Sequence, residues 1–309
     1  VSTDPADHPA RDFERGMRNK ARTDSIIFAQ CEGVVDVQKT EYRSSIGDMD
    51  IPVYIFQPLE KRGPKGHAAL VWVHGGVHGD FTEMYFRFVP EAVKRGYVVI
   101  APEYRGSTGY GPDHYFAIDY GGYEVDDCLT AVNYMVENMP HVDPDRIGIW
   151  GLSHGGFIAL HSVFRDDNPY KCGVALVPVS NLIFRLSYKG PGYQRYFATQ
   201  KRIQGLPYEK REIYVERSPV YHADKLKVPL LVHIATNDQD VNYVECEMMV
   251  HALKAKKPDL AETKVYVDPP HGHTFTLRGD SPQLRDSWIR QWAFLEWNLR
   301  PDIDKSKGN

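Results

Sequence analysis

The pentapeptide G-L-S-H-G at residues 151–155 constrains the fold most, because it follows directly on the apolar run at 146–150. A strand that ends in G-x-S-x-G and opens into a helix holds its serine on a sharp, strained turn. The glycines are needed where that turn crowds backbone against backbone. The Ser153 hydroxyl then stands at the carboxyl end of a parallel strand, where open α/β sheets bind ligands. The pattern is short, so its meaning depends on partners elsewhere in the chain.

Apolar strands and amphipathic helices alternate along most of the chain. We predict strands at 34–42, 51–56, 68–73, 97–101, 147–150, 172–179, 229–234 and 264–267. We predict helices at 86–95, 124–139, 156–164, 241–255 and 283–299, and a short one around 11–22. This alternation indicates an α/β fold with a mostly parallel sheet and helices on both faces.

The same pass along the chain divides it into parts. Residues 1–33 form a polar N-terminal extension, residues 34–300 the α/β domain, and residues 301–309 a C-terminal tail. Residues 180–227 separate two predicted strands and are rich in tyrosine and phenylalanine. A connection of that length is usually a functional insertion, so we predict a small cap over the carboxyl end of the sheet.

Composition and charge narrow the classes of partner. The net charge is −4 and the chain has no basic run, which argues against nucleic acid. No apolar stretch approaches the roughly 18 residues that span a bilayer, so we predict no membrane partner. The four cysteines show no C-x-x-C pair and are predicted to be free, buried thiols. We expect a soluble protein, cytoplasmic or secreted after removal of a leader, with the compartment unknown.

A nucleophilic serine needs a base, and on such a fold an acid and then a histidine follow it in the chain. Asp238 and Asp240 both come just after the strand at 229–234. We favour Asp238, because Asp240 immediately precedes a predicted helix and is placed to cap it. Local chemistry separates the two only weakly, and Asp240 stays the alternative.

Two histidines follow the strand at 264–267 and compete for the role of base. We favour His273 over His271, because Gly272 directly before His273 allows a tight approach of the loop. Either histidine lies downstream of the predicted acid, so the order of the three functional groups is satisfied.

An acyl-transfer enzyme also needs hydrogen-bond donors for the oxyanion, each worth about 3 kcal/mol. The first is the amide of His154, the residue after the serine. The second lies in the H-G-G loop at 74–76, which follows the strand at 68–73. We assign it to Gly76, with Gly75 as the alternative.

Histidine spacing at 74/78 and at 271/273 raises the question of a metal. The first pair lies on a glycine-rich loop rather than a helix, and no H-E-x-x-H motif is present. Cysteine spacing offers no zinc site. We therefore predict neither a metal nor a cofactor.

Several longer motifs accompany these residues. They are H-G-G at 74–76, Y-R-G-S-T-G-Y-G at 104–111, G-Y-E-V-D-D at 122–127, D-P-D-R-I-G-I at 143–149, G-L-S-H-G-G at 151–156, S-P at 218–219 and D-x-x-V at 238–241. With them the chain, over about 34–299, resembles the prolyl oligopeptidase superfamily of serine hydrolases. The acylaminoacyl-peptidase and dipeptidyl-peptidase branch is the most similar.

The resemblance implies an α/β-hydrolase fold with an eight-stranded sheet. It also implies a triad of Ser153, Asp238 and His273, because the acid stands three residues before the valine of D-x-x-V and the base stands in G-H-x-F. Arg105 is expected to form a structural ion pair with Glu124 or Asp127.

Two departures affect the predicted substrate. Full-length peptidases of the family carry a β-propeller before the catalytic domain, whereas about fifty residues precede it here. The H-G-G loop continues with Val77 rather than proline. Stand-alone members often look like carboxylesterases, so we predict an acyl-enzyme carboxylesterase for hydrophobic or aromatic esters, including feruloyl and cinnamoyl types. The alternative is an acylaminoacyl- or dipeptidyl-peptidase, and a remote one is a non-catalytic binding protein.

The predicted partner is a small-molecule ester or a short peptide, and a homo-oligomer stays open. Phe184, Tyr188 and Tyr193 in the cap are the candidates for lining an acyl or aryl pocket.

Overall fold

One eight-stranded sheet organises the protein, which is described here over residues 12–307 of a computed structural model. The strands are β1 (Asp36–Arg43), β2 (Asp50–Gln57), β3 (His67–Val73), β4 (Tyr97–Pro102), β5 (Val142–Leu152), β6 (Cys172–Leu176), β7 (Leu230–Ala235) and β8 (Ala261–Tyr266). Their order is β1-β2-β4-β3-β5-β6-β7-β8. β2 is antiparallel to both β1 and β4, and every other pair is parallel. The predicted α/β class is confirmed.

Helices cover both faces of this sheet. They are α1 (Phe13–Cys31), α2 (Glu83–Phe86), α3 (Val89–Lys94), α4 (Gly111–Phe116), α5 (Tyr123–Asn138), α6 (His154–Val163), α7 (Leu182–Tyr188), α8 (Pro191–Thr199), α9 (Arg211–Glu216), α10 (Tyr243–Lys256) and α11 (Pro282–Leu299). Short 3₁₀ helices lie at Pro219–Lys225, Gly272–Thr274 and Lys305–Lys307. One core cluster joins the sheet to α5, α6 and α10, and a second joins it to α1, α3 and α11.

Strand β3 shows why these runs form central strands. All seven of its residues are buried. Ala69 and Val71 belong to one core cluster, whereas Leu70 and Trp72 belong to the other. Successive side chains of a strand point to opposite faces, so a continuous apolar run fits a strand that is covered on both sides.

Several elements differ from the sequence-based prediction: β5 and β8 begin earlier, at Val142 and Ala261, and α4 was not predicted. Helix α1 runs to Cys31 rather than ending near residue 22, because its later turns bury Ile27 and Cys31 in the core. The helix predicted at 86–95 is divided into α2 and α3, with Pro90 in the first turn of α3. Strand β6 ends at Leu176, before Pro178, which lacks the amide that a ladder needs.

The segment from 180 to 227, called the cap below, connects the end of β6 to β7. It contains α7, α8, α9 and the 3₁₀ helix at Pro219–Lys225. Ser153, which follows β5, and the loops that follow β7 and β8 lie at the same end of the parallel strands. The predicted functional residues therefore converge on the same edge of the sheet.

Two smaller predictions can be compared with the structure. The cysteines are free and buried, as the sequence predicted: Cys31, Cys128, Cys172 and Cys246. Over residues 12–307, no helix has both the length and the apolar character required to cross a membrane.

Candidate active site

The turn between β5 and α6 places Ser153 at the edge of the sheet. Strand β5 ends at Leu152 and α6 begins at His154, which leaves Ser153 alone between them. Its backbone adopts φ 61° and ψ −116°, an unusual conformation for a residue with a side chain. The Ser153 amide donates a 2.8 Å hydrogen bond to the Leu176 carbonyl, which ties the turn to the end of β6. The surrounding strands thus hold the strained turn in place.

Glycines on either side of Ser153 make this turn sterically feasible. A Cβ on Gly151 would lie 2.0 Å from the Gly155 carbonyl oxygen, and a Cβ on Gly155 would lie 2.1 Å from that of Val73. Both distances are far below contact, and each obstacle is backbone rather than a movable side chain. The two outer positions of G-x-S-x-G are therefore fixed by packing against the turn itself and against β3.

The loops after β7 and β8 bring the predicted acid and base to this serine. His273 Nε2 lies 2.8 Å from Ser153 Oγ, and His273 Nδ1 lies 2.7 Å from Asp238 Oδ2. A carboxylate only accepts hydrogen bonds, so Nδ1 carries the proton and Nε2 accepts from the serine hydroxyl. The structure therefore brings together the three residues favoured in the sequence, in the arrangement of an activated serine.

Asp238 is held rigidly in that arrangement. Its Oδ1 accepts 3.0 Å hydrogen bonds from the amides of Asp240 and Val241, while Oδ2 faces the imidazole. The side chain of Asp238 is buried. The base is held by a compact turn in which His271 has φ 71° and Gly272 has φ 47°. The imidazole is thus oriented from one side and supported by its own loop.

The two alternatives from the sequence occupy different places. His271 is exposed, and neither Ser153 nor Asp238 is among its hydrogen-bond partners within residues 12–307. Asp240 lies closer: its Oδ2 is 3.6 Å from His273 Nε2, on the other side of the imidazole from Asp238. Its side chain is 60% exposed. Asp240 is therefore a second carboxylate at the site rather than the orienting one.

The H-G-G loop after β3 supplies one candidate oxyanion donor. The Gly75 amide donates a 2.9 Å hydrogen bond to the Tyr85 hydroxyl, so it is already engaged. Within the described residues the Gly76 amide has no such partner, and Gly76 has φ 75°. The His154 amide is the first of α6, where a helix leaves its amides without an internal acceptor. These are the two amides that the sequence singled out.

A buried network that the sequence analysis did not find anchors the H-G-G loop. Lys20 of α1 is 3% exposed, and its ammonium contacts Glu103 Oε1 at 2.5 Å, Asp80 Oδ2 at 3.1 Å and the Phe81 carbonyl at 2.6 Å. Glu103 also accepts from the Phe81 amide. The N-terminal helix thus fixes the far end of the loop that carries Gly76. A lysine in a polar helix gives no sequence signal of this role.

Tyrosine and threonine hydroxyls secure the rest of this loop. The Tyr104 hydroxyl donates to the Gly76 carbonyl at 2.8 Å, and the Thr108 hydroxyl donates to the His78 carbonyl at 2.6 Å. Both belong to the Y-R-G-S-T-G motif. Its Arg105 pairs with Asp127 rather than Glu124, at 2.7 Å, which decides between the two partners that the sequence left open.

A second buried acid lies behind the turn. The His154 ring packs against Tyr120 and Phe157, with its Nε2 3.4 Å from Glu124 Oε1. Burial lowers the pKa of His154 to about 3 and raises the pKa of Glu124 to about 8. Both side chains are therefore neutral at pH 7. A neutral His154 leaves no competing imidazolium beside the Ser153 turn.

The cap faces the site with charged and phenolic groups. Arg185 of α7 lies 3.4 Å from Glu245 of α10, and both are buried. The Tyr188 hydroxyl donates to Glu245 Oε2 at 2.5 Å, while the Arg185 guanidinium donates to the hydroxyls of Tyr188 and Tyr193. Glu245 also accepts from the Ser180 amide at the start of the cap. This cluster attaches the cap to α10.

These contacts bear on the three predicted pocket residues. The hydroxyls of Tyr188 and Tyr193 take part in the Arg185 cluster, and the Tyr193 hydroxyl lies 3.2 Å from that of Tyr120. Phe184 packs its ring 5.6 Å from that of Tyr188. All three are half-buried. Their contact with substrate stays a prediction.

Within residues 12–307, no group of three or more His, Cys, Asp and Glu side chains is arranged to hold a metal ion.

Comparison with known proteins addresses the family. Residues 84–301 match the prolyl oligopeptidase family. The chain belongs to that family. The match runs from α2 to just beyond the end of α11 and includes Ser153, Asp238 and His273. The resemblance inferred from the motifs is thereby confirmed.

Two named proteins are similar to most of this chain. The uncharacterized peptidase YuxL of Bacillus subtilis is 29% identical over 259 residues, covering 82% of this chain and 38% of that protein. Dipeptidyl aminopeptidase BIII of Pseudoxanthomonas mexicana is 32% identical over 207 residues, covering 66% of this chain and 30% of that protein. The chain thus spans less than half the length of either relative.

A solved structure of an acylaminoacyl peptidase, in complex with Z-Gly-Gly-Phe-chloromethyl ketone, has the same fold. Its TM-score is 0.72 at 24% identity, covering 89% of this chain and 43% of that one. This agrees with the expected α/β-hydrolase fold. The two relatives are named as peptidases, so the comparisons favour the peptidase alternative over the carboxylesterase that the sequence analysis ranked first.

Proposed function

We propose that this chain is the catalytic domain of a serine peptidase of the prolyl oligopeptidase family, with Ser153, His273 and Asp238 as its triad. The observation that carries the proposal is the pair of contacts made by His273, 2.8 Å to Ser153 Oγ and 2.7 Å to Asp238 Oδ2. Proton transfer requires this spacing, which lies within hydrogen-bond reach.

The geometry supports a two-step reaction. His273 Nε2 takes the hydroxyl proton of Ser153 as Oγ attacks the scissile carbonyl carbon, and Asp238 stabilises the imidazolium. The amides of Gly76 and His154 donate to the oxygen that becomes negative. His273 then gives the proton to the leaving nitrogen, the C–N bond breaks and an acyl-enzyme forms. Water repeats the sequence, releases the acid and restores Ser153.

The names of the relatives support a peptide rather than an ester as substrate, and the triad is compatible with it. Both relatives are named as peptidases, one of them a dipeptidyl aminopeptidase. The Asp238 carboxylate is buried and accepts hydrogen bonds from two backbone amides, so it holds the imidazolium in position to protonate the leaving group. An amide leaving group requires such protonation, whereas an aryl ester leaves without it.

Paired substrates test this proposal. We expect the protein to hydrolyse aminoacyl and N-acyl-aminoacyl p-nitroanilides at a kcat/KM comparable with that for the matching aryl esters. Ser153→Ala is expected to abolish both activities. The matched control is Ser187→Ala, which removes an exposed cap hydroxyl whose partner within residues 12–307 is the Phe184 carbonyl of its own helix.

Two results would contradict the proposal. Ester hydrolysis without anilide hydrolysis would restore the carboxylesterase hypothesis. Hydrolysis of either substrate that survives in Ser153→Ala would remove the triad as its source.

A further inference from the structure

Asp240 is the charged group at the site that the proposed mechanism does not use. Its Oδ2 lies 3.6 Å from His273 Nε2, the nitrogen that serves Ser153. A carboxylate in this place attracts a cation to the site. The sequence had offered it only as an alternative acid or a helix cap.

The cation now beside Asp240 comes from the cap. Lys189 Nζ lies 3.1 Å from Asp240 Oδ1, and it lies 5.8 Å and 5.7 Å from the ring centroids of Tyr188 and Tyr193. A carboxylate together with two aromatic rings is a favourable environment for an ammonium group. Arg185, the other nearby cation, is taken up by Glu245 and the tyrosine hydroxyls. Lys189 is therefore the cap cation that neutralises Asp240, whose other oxygen faces His273.

From this geometry we propose that Asp240 binds the free α-ammonium group of the substrate residue whose carbonyl is attacked by Ser153. The substrate ammonium takes the place of the Lys189 ammonium between Asp240 and the two tyrosine rings. This inference rests on the proposed peptidase function and narrows its substrates to peptides with an unblocked amino terminus.

The distances suit that substrate class. In an aminoacyl group the ammonium nitrogen is two bonds from the carbonyl carbon, about 2.5 Å away. Asp240 Oδ2 lies 3.6 Å and Ser153 Oγ lies 2.8 Å from the same atom, His273 Nε2. One aminoacyl residue can therefore place its carbonyl carbon at Ser153 and its ammonium group at Asp240. An N-acylated residue has no cation to exchange for Lys189 and leaves the carboxylate to its existing partner.

Lys189 is suited to being displaced. It stands between α7 and α8, directly before Gly190, and its side chain is 22% exposed. A long flexible stem lets its ammonium move into solvent when another cation arrives. The Asp240 charge stays neutralised throughout, because one cation replaces another.

The test compares leucine p-nitroanilide with N-acetyl-leucine p-nitroanilide in the whole chain. We expect the wild type to prefer the free amine. Asp240→Asn is expected to lower kcat/KM for the free amine about 10- to 100-fold, the range of a charge-assisted hydrogen bond, with little change for the acetylated substrate. Asp240→Glu is expected to keep the preference. Lys189→Gln is expected to raise kcat/KM for the free amine only.

A control variant separates this effect from a change of net charge. Asp302→Asn removes a carboxylate that is 63% exposed and lies 3.0 Å from Arg300, beyond the end of α11. We expect it to leave the ratio of the two substrates unchanged.

The failures are distinguishable. A wild type that cleaves the acetylated anilide better, or an Asp240→Asn variant that loses both substrates equally, would overturn the role of Asp240 and leave the peptidase intact. A wild type that cleaves neither anilide but does cleave the aryl ester would overturn the peptidase proposal itself.

Discussion

The Ser153 turn and the cap meet at one site but are built in different ways. The turn is buried and is shaped by backbone: a Cβ on Gly151 or Gly155 would lie about 2 Å from a carbonyl oxygen, which no side chain tolerates. The cap is held by charges and hydroxyls, with the Arg185–Glu245 pair at its centre. The reacting atoms are thus placed by local steric constraint, whereas the groups that face the substrate are placed by long-range polar contacts.

This difference in construction indicates where substitutions can change substrate specificity. A side chain in the cap or at Asp240 can change without disturbing the backbone that holds Ser153. By contrast, the turn tolerates little, because its obstacles are main-chain atoms. Variants on the two sides should therefore fail in different ways, the turn by steric conflict and the cap by an uncompensated charge.

The largest expected effect separates the two carboxylates that flank His273. Asp238→Asn should lower kcat by about 10⁴-fold, because an amide no longer fixes the proton on Nδ1. Asp240→Asn should keep kcat on the acetylated anilide within about threefold, because Asp240 does not orient the ring. Steady-state kinetics on that substrate decide the matter. Equal losses in both variants would mean that the two carboxylates share one role.

The second effect concerns the charges that attach the cap. Glu245→Gln should lower the free energy of unfolding by about 3 to 5 kcal/mol, because the buried Arg185 loses its counter-ion. The double variant Arg185→Met with Glu245→Gln should recover much of that loss in urea unfolding. As a control, Glu91→Gln breaks a partly exposed helical pair with Arg95 and should cost less than about 1 kcal/mol. A double variant as unstable as Glu245→Gln would contradict this account of the cap.

Substitution of one glycine in the Ser153 turn and one glycine in the cap sharpens the comparison further. Gly155→Ala should cost about 3 kcal/mol and reduce activity, since its Cβ would meet the Val73 carbonyl. Gly190→Ala, in the cap, should cost less than about 1 kcal/mol, because its Cβ meets nothing within 4 Å, its φ is −66°, and alanine is only a poorer residue at the start of α8. Urea unfolding of both variants measures the contrast. Similar costs would show that steric fit does not distinguish the two regions.

The smallest effect is a pH dependence set by Glu124 behind the turn. Its pKa is raised by burial to about 8, so the folded protein keeps a proton that the unfolded chain has released. Stability from this group is therefore present at low pH and lost as pH rises through about 8. The free energy of unfolding should fall by about 2.5 kcal/mol between pH 6 and 8.5.

Glu124→Gln removes the titrating group and should flatten that fall. Glu60→Gln, at an exposed position, should leave the slope as it is in the wild type. An unchanged slope in Glu124→Gln would mean that Glu124 is ionised in the folded protein.

The sequence predicted the side of the site that local geometry determines. Each triad residue follows a parallel strand: Ser153 follows β5, Asp238 follows β7 and His273 follows β8. The carboxyl ends of parallel strands lie at one edge of the sheet, so the three residues must lie at that edge. The choice of Asp238 over Asp240 could not be settled by local chemistry, because the two are separated by the direction of the loop rather than by residue type. The family motif pointed to Asp238, and the contacts with His273 agree with it.

The cap and the supports of the H-G-G loop were beyond sequence reasoning. Arg185 and Glu245 meet across 60 residues of chain, and Lys20 and Glu103 meet across 83. No short pattern marks such pairs, because each residue taken alone resembles a solvated charge. The length of α1 was underestimated for a related reason, since its burial depends on packing against the rest of the domain.

The measurement that tests the central claim most directly is labelling with a fluorophosphonate, read by intact mass and peptide mapping. We predict one adduct on the wild type, located on Ser153, and no adduct on Ser153→Ala. His273→Ala should react far more slowly, because the hydroxyl has lost its base. Labelling of Ser153→Ala at the wild-type rate, or an adduct on another serine, would contradict the assignment of Ser153 as the nucleophile.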